Sequence, residues 1–122
     1  HDEVVSLPAQ AERPLILNFW SATCGMCIKE LREIQDLQAA RPQAVDVLAV
    51  NIDGADGKTL QALATQRGLT LPLAADQMGV TAERYRVNGT PTNYLIGRDG
   101  QILERKAGML DTADLQRWFS AH

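Results

Sequence analysis

The 122-residue sequence holds two cysteines, Cys24 and Cys27. They lie within Leu-Ile-Leu-Asn-Phe-Trp-Ser-Ala-Thr-Cys-Gly-Met-Cys-Ile-Lys-Glu-Leu-Arg, residues 15–32, after an apolar run and at the head of a helical pattern. Positions i and i+3 on a first helical turn share a face, so the two sulfurs can close a small disulfide ring. A helix start also presents unpartnered N–H groups and the positive end of the dipole, and both stabilise a thiolate. A first cysteine so placed can drop from a pKa of about 8.5 into a range of about 3.5 to 7.5. Cys24 is then a nucleophile at neutral pH. Cys27, one turn deeper, is expected to be shielded and to act second. Cys24 attacks a substrate disulfide, and Cys27 then attacks Cys24 and releases the reduced substrate. The reaction needs no cofactor beyond the Cys24–Cys27 disulfide itself.

Other uses of the pair are open from the residues. Two thiolates suffice for copper(I), and Met26 adds a thioether. A pair of core cysteines is the plainest alternative. Cys-x-x-Cys beside a β-α-β pattern favours redox chemistry over both. Two cysteines are too few for a disulfide framework or a four-ligand zinc site. The only histidines are His1 and His122, at the two ends, where order is poorest. No metal site and no Cys–His dyad are expected.

The rest of the composition bounds the class. Twelve Lys and Arg against 15 Asp and Glu give a net charge of -3. Without a clustered basic run, no nucleic-acid partner is expected. No apolar run approaches the roughly 18–20 residues that span a bilayer. The opening on His1 rather than Met suggests a processed or trimmed form, with a signal peptide or membrane anchor outside this chain. The length suits one domain.

Hydrophobic spacing gives the elements that must position the cysteines. Val4, Val5 and Leu7 suggest a short edge strand or loop. Leu15–Trp20 reads as a buried strand. Cys27, Ile28, Leu31, Ile34 and Leu37 form a helical stripe within Cys24–Arg41, ended by Pro42. Ala44–Ile52 reads as a second strand, parallel to the first through the crossover helix. A loop, Asp53–Gly57, leads into a helix over Lys58–Arg67 that Gly68 caps. Leu69–Leu73 reads as a short extended piece, set at an edge by Pro72, and Thr81–Tyr85 as a short helix. Asn93–Ile96 and Gln101–Lys106 form a hairpin about Arg98-Asp-Gly100. Asp111-Thr-Ala-Asp114 resembles a capping box before a last helix carrying Leu115, Trp118 and Phe119. The order is β-α-β-α, then β-β-α: a mixed sheet with helices on both faces.

The cysteine segment resembles the active-site segment of thioredoxin-fold proteins, and within them the TlpA/ResA/DsbE-like thiol-disulfide oxidoreductases. Asn18 is similar to an Asn common in that branch. The stretch between Val50 and Tyr85 resembles its helix-containing central insertion. Gly-Thr-Pro-Thr at 89–92, followed by Tyr-Leu-Ile and Asp-Gly, resembles its proline loop and final hairpin. The resemblance spans about residues 15–119. It implies an α/β thioredoxin fold with the TlpA-like insertion, and residues 1–122 as a single domain. It implies Cys24 and Cys27 as catalytic residues. It also implies a cis Thr90–Pro91 bond packed against them, with Thr90 and Pro91 binding an extended substrate segment.

It implies as well a reductant on the outer, periplasmic side of a bacterial membrane, fed by a membrane electron donor of the DsbD/CcdA type. The expected partners are exported cysteine proteins, as in cytochrome c biogenesis, and the expected state is a monomer. A general thioredoxin or disulfide isomerase, a copper(I) protein and a binding module with a vestigial disulfide are the alternatives. Asn18 and the insertion argue against a cytoplasmic thioredoxin. The element order and the Thr-Pro loop argue against a ferredoxin-like copper chaperone.

Several positions depart from the family pattern. Thr23 stands where relatives carry Trp, so a more open lip is expected. Met26 replaces a frequent Pro; its N–H is expected to face the Cys24 sulfur and to make the protein a stronger oxidant than a Pro variant. Arg32 replaces a kinking Pro, so a straighter helix is expected. With no buried Asp under the cysteines, a proton acceptor for Cys27 is sought in Asp53 or Asp56, Asp56 being slightly preferred. Loop formation beside Gly is the plainer role for both.

Overall fold

The computed structural model describes residues 11–76 and 79–120. Its centre is β1 (Leu15–Trp20), buried along all but its first residue. β1 pairs in parallel with β2 (Asp46–Asn51) and antiparallel with β4 (Thr92–Ile96). β3 (Leu73–Ala75) lies parallel outside β2, and β5 (Ile102–Ala107) antiparallel outside β4. The sheet order is therefore β3-β2-β1-β4-β5. The connections carry α1 (Gly25–Ala40), α2 (Gly57–Arg67) and α3 (Val80–Arg84), and α4 (Thr112–Ser120) follows the sheet. The described residues thus form the mixed α/β thioredoxin-type sheet that the sequence suggests.

Side chains alternate across β1 and build two cores. Ile16 and Trp20 join Val47 and Ala49 of β2, Cys27, Leu31 and Ile34 of α1, Leu60 and Ala64 of α2, and Trp118 and Phe119 of α4. Leu17 and Phe19 point the other way, into a smaller cluster with Val50, Tyr94 and Ile96, covered by Ala82, Tyr85 and Val87. Helices α1, α2 and α4 therefore cover one face, and α3 with its following turn covers the other. Each large apolar side chain fully buried here contributes about 1.5–3 kcal/mol. That burial fixes β1, and so the point where the chain leaves it toward the cysteines.

Local signals set the ends of the elements. Gly68 ends α2 in the left-handed region at φ 71°, a backbone that favours glycine. The suggested capping box of α4 is reciprocal: Asp114 N donates to Asp111 Oδ1 at 2.8 Å, and Asp111 N to Asp114 Oδ2 at 3.1 Å. Helix α1 is one unbroken run of 16 residues through Arg32. The edge piece expected over Leu69–Leu73 is shifted, because pairing begins only at Leu73. Pro72 has no N–H to pair, but its carbonyl accepts from Ala49 N at 3.0 Å. The short helix expected over Thr81–Tyr85 is α3, one residue earlier at each end. The expectation for Val4–Leu7, and both histidines, lie outside the described residues.

Candidate active site

The chain leaves β1 at the fully buried Trp20 and turns through Ser21–Thr23. Cys24 then caps α1 with an extended backbone (φ −95°, ψ 100°), and its Sγ accepts from Cys27 N at 3.1 Å. Cys24 and Cys27 are joined as a disulfide, with Cα atoms 5.2 Å apart. Cys24 is half-buried, whereas Cys27 is fully enclosed in the larger core. The first turn of α1 carries no acidic residue, so no carboxylate there opposes a thiolate at the positive helix end. Thr23 and Met26 are exposed beside the disulfide.

The expectation for Met26 needs correction. The N–H that meets Cys24 Sγ belongs to Cys27, the third residue of the helix, which is the usual target of an N-cap side chain. A proline at position 26 would leave that bond in place.

The facing wall is the loop before β4. Thr90–Pro91 is a cis peptide bond, and Thr90 O lies 3.7 Å from Cys24 Sγ. Pro91 O accepts from Gly108 N at 2.9 Å, and Thr92 Oγ1 donates to Gly89 O at 2.6 Å. The loop is clamped on both sides of Thr90, and Thr90 itself is half-buried against the sulfur. The structure thus brings together Cys24, Cys27, Thr90 and Pro91.

Neither suspected aspartate lies under Cys27. Asp56 is exposed and caps α2, accepting from Thr59 N at 2.7 Å. Its bonds with Thr59 hold its carboxyl below the ordinary value. Asp53 holds the loop ahead of Cys24, accepting from Ser21 Oγ at 2.6 Å, Ala22 N at 2.8 Å and Asn51 Nδ2 at 3.0 Å. Partial burial pushes its carboxyl up, but bonds from Ser21, Ala22 and Asn51 outweigh this and lower it. The slight preference for Asp56 is therefore corrected: it is a helix cap, the plainer role allowed for it.

The acid beneath the cysteines is Glu30, one helical turn beyond Cys27 and fully buried. Its Oε1 accepts from Asn18 Nδ2 at 2.8 Å and Asn93 Nδ2 at 3.1 Å. Its Oε2 accepts from Leu110 N at 2.6 Å and Asn93 Nδ2 at 3.2 Å. Asn18 and Asn93 face each other across β1 and β4. Burial pushes the Glu30 carboxyl above its ordinary value; the bonds from Leu110, Asn93 and Asn18 oppose this, and the nearby Glu33 charge adds to the rise. The sequence carried a signal for it. Glu30 lies in the stripe Cys27, Ile28, Leu31, Ile34, where a helical period requires a core residue.

With fold and site in view, the relatives can be placed. Residues 1–105 match the AhpC/TSA family model. The chain belongs to that family. It is 30% identical over 104 residues to the thiol-disulfide oxidoreductase ResA of Geobacillus kaustophilus, covering 84% of this chain and 59% of that one. It is 28% identical to the sporulation thiol-disulfide oxidoreductase A of Bacillus subtilis, over 95% of this chain and 72% of the relative. The crystal structure of StoA from Bacillus subtilis superposes with a TM-score of 0.75 at 27% identity, over 88% of this chain and 82% of that one. The domain thus has a thioredoxin fold with a Cys24–Cys27 disulfide, and it is similar in sequence and structure to thiol-disulfide oxidoreductases. The chain spans about three-fifths of the length of the ResA relative.

Proposed function

We propose that the protein exchanges its Cys24–Cys27 dithiol with disulfides of exported proteins, working as a reductant. The observation that carries this reading is the asymmetry of the pair: Cys24 is half-buried at the helix start and faces Thr90, while Cys27 is enclosed behind it. In the dithiol form the Cys24 thiolate attacks one sulfur of the substrate disulfide. A mixed disulfide forms and one substrate thiolate leaves. Cys27 gives its proton to Glu30 and attacks Cys24 Sγ, releasing the second substrate thiolate. Two electrons pass to the substrate, whose two sulfurs take up two protons. Thr90, through its backbone groups, and Pro91, through its shape, hold the extended substrate segment beside Cys24.

The same reading assigns the protein to the extracytoplasmic side of a bacterial membrane. A membrane dithiol donor of the DsbD/CcdA type resets the disulfide there. The substrates are exported cysteine proteins such as those of cytochrome c assembly, and the protein acts as a monomer without added cofactor. Similarity to thiol-disulfide oxidoreductases supports the reaction; the direction and the substrates are the proposal.

Trapping tests it. A Cys27→Ser variant expressed in the native host should accumulate mixed disulfides with exported cysteine proteins through Cys24, and Cys24→Ser should accumulate none. Equal trapping through either cysteine, or failure of the wild type to speed insulin reduction by dithiothreitol, would overturn the assignment.

A further inference from the structure

Beside the Thr90–Pro91 wall the surface opens into a cleft of about 360 Å³ that runs along Ala107 and Gly108 to Arg105. On the opposite, α4-facing side of β5 the cations are paired with carboxylates. Lys106 pairs with Asp114 at 3.0 Å, and Arg117 with Glu104 at 2.7 Å and Asp114 at 3.1 Å. Arg105 is held differently. Its Nε donates to Tyr94 Oη at 3.0 Å, its Nη2 to Arg86 O at 3.5 Å, and its guanidinium lies over the Tyr94 ring, 5.8 Å from the centroid. Each of these groups is neutral. They fix the back of the guanidinium fork and leave its positive charge uncompensated by them, and Arg105 is exposed.

The strand register sets the distance to the reaction. Thr92 of β4 faces Ala107 of β5, and Tyr94 faces Arg105. Arg105 is thus two residues along β5 from the level of the proline loop, about 7 Å at extended-strand spacing. An extended segment seated on Thr90 covers that distance in two or three residues. An arginine fork with its back held and its front free matches a carboxylate in both charge and shape.

We propose that this cleft is a subsite for an acidic side chain of the substrate, an Asp or Glu two or three residues from the cysteine that Cys24 attacks, with Arg105 as its partner. The inference rests on the reading of Thr90–Pro91 as the substrate wall, and it adds a class of substrate: cysteine segments with an acidic flank. A substrate's own terminal carboxylate offers the same chemistry, so the experiment separates the two.

Disulfide-linked peptides are compared at low salt, identical except for Glu or Gln at the second and third positions on either side of the cysteine. Each is made with an amidated and with a free C-terminus. The wild type should reduce the amidated Glu peptide with a kcat/KM about tenfold above that of its Gln twin, as a charge-assisted hydrogen bond permits, and the ratio should shrink as salt rises. In Arg105→Gln the Glu/Gln ratio should fall to about one. In Arg105→Glu the preference should turn against Glu. A ratio of one in the wild type, or a Glu preference that survives Arg105→Gln, overturns the acidic subsite. A preference seen only with free C-termini replaces a side chain by a chain end and overturns the proposal as stated. If neither peptide is reduced while Cys24 still alkylates, the substrate wall itself is wrong and the subsite falls with it.

Discussion

At the scale of single residues, the two cysteines differ through what lies behind them. Cys24 borrows the N–H groups of a helix start. Cys27 has a buried carboxylate one turn below it, held by four hydrogen bonds from Asn18, Asn93 and Leu110. A proton cannot reach Cys27 directly from water, because its side chain is enclosed. Glu30 is the titratable group in that interior, and burial raises its proton affinity, which suits a group that accepts a thiol proton and returns it. Glu30→Gln keeps the size of the side chain and removes the acceptor. The release of substrate from a preformed mixed disulfide should slow by about 100-fold, the lower range for losing a general base. Alkylation of Cys24, one turn further from the carboxylate, should change much less. Rapid-mixing of the mixed disulfide checks this, and an unaltered release rate at neutral pH would remove Glu30 from the reaction.

At the scale of elements, the turn after α3 carries an unusual choice. Arg86 N donates to Glu83 O at 3.0 Å and Val87 N to Ala82 O at 2.9 Å, the paired bonds of a Schellman motif. The residue in its left-handed position is Arg86 at φ 55°, where glycine is favoured. Arg86→Gly should therefore stabilise the fold by up to about 1 kcal/mol, read as a higher urea midpoint with an unchanged slope; a destabilised variant would show that the arginine side chain holds α3 in place. Arg86 also marks a limit of sequence reading. Apolar spacing made β1, α1 and the hairpin legible, because their periods are set by burial on a fixed face. The cap at Asp111–Asp114 was legible because its residues are local. The Schellman turn was hidden because its marker residue is missing. The roles of Asp53 and Asp56 were also hidden, because loop acids can serve caps, turns or catalysis with the same spelling. Cys24 and Cys27 were legible from type and spacing alone, and Thr90 and Pro91 from their likeness to a known loop. Glu30 was missed because its partners Asn18, Asn93 and Leu110 come from three distant parts of the chain.

At the scale of the whole molecule, these carboxyls set opposing limits on stability. Asp114 is pulled down to about 2 by the Asp111 N–H and by Lys106, with Arg117 adding to them against its burial. Its ordinary value is about 3.9. A lowered group stabilises the fold fully above its unfolded value, and that contribution is lost as pH falls through the folded one. The α4 cap should therefore weaken as pH drops from about 4 toward 2. Glu30 has the opposite sign. Its folded value is raised above the ordinary 4.3 or so, so its contribution is complete below that pH and is lost as pH rises through the raised value. Stability of the oxidised protein, whose thiols do not titrate, should peak between the two limbs. Urea midpoints from about pH 2 to 8 measure this curve directly. Asp114→Asn should flatten the acid limb and lower the midpoint above about pH 4, by about 1 kcal/mol for a damaged cap. Glu30→Gln should flatten the limb on the neutral side and leave the acid limb intact. A Glu30→Gln variant that keeps the wild-type slope above about pH 4.5 would show that the buried carboxyl is not the group whose ionisation limits the fold.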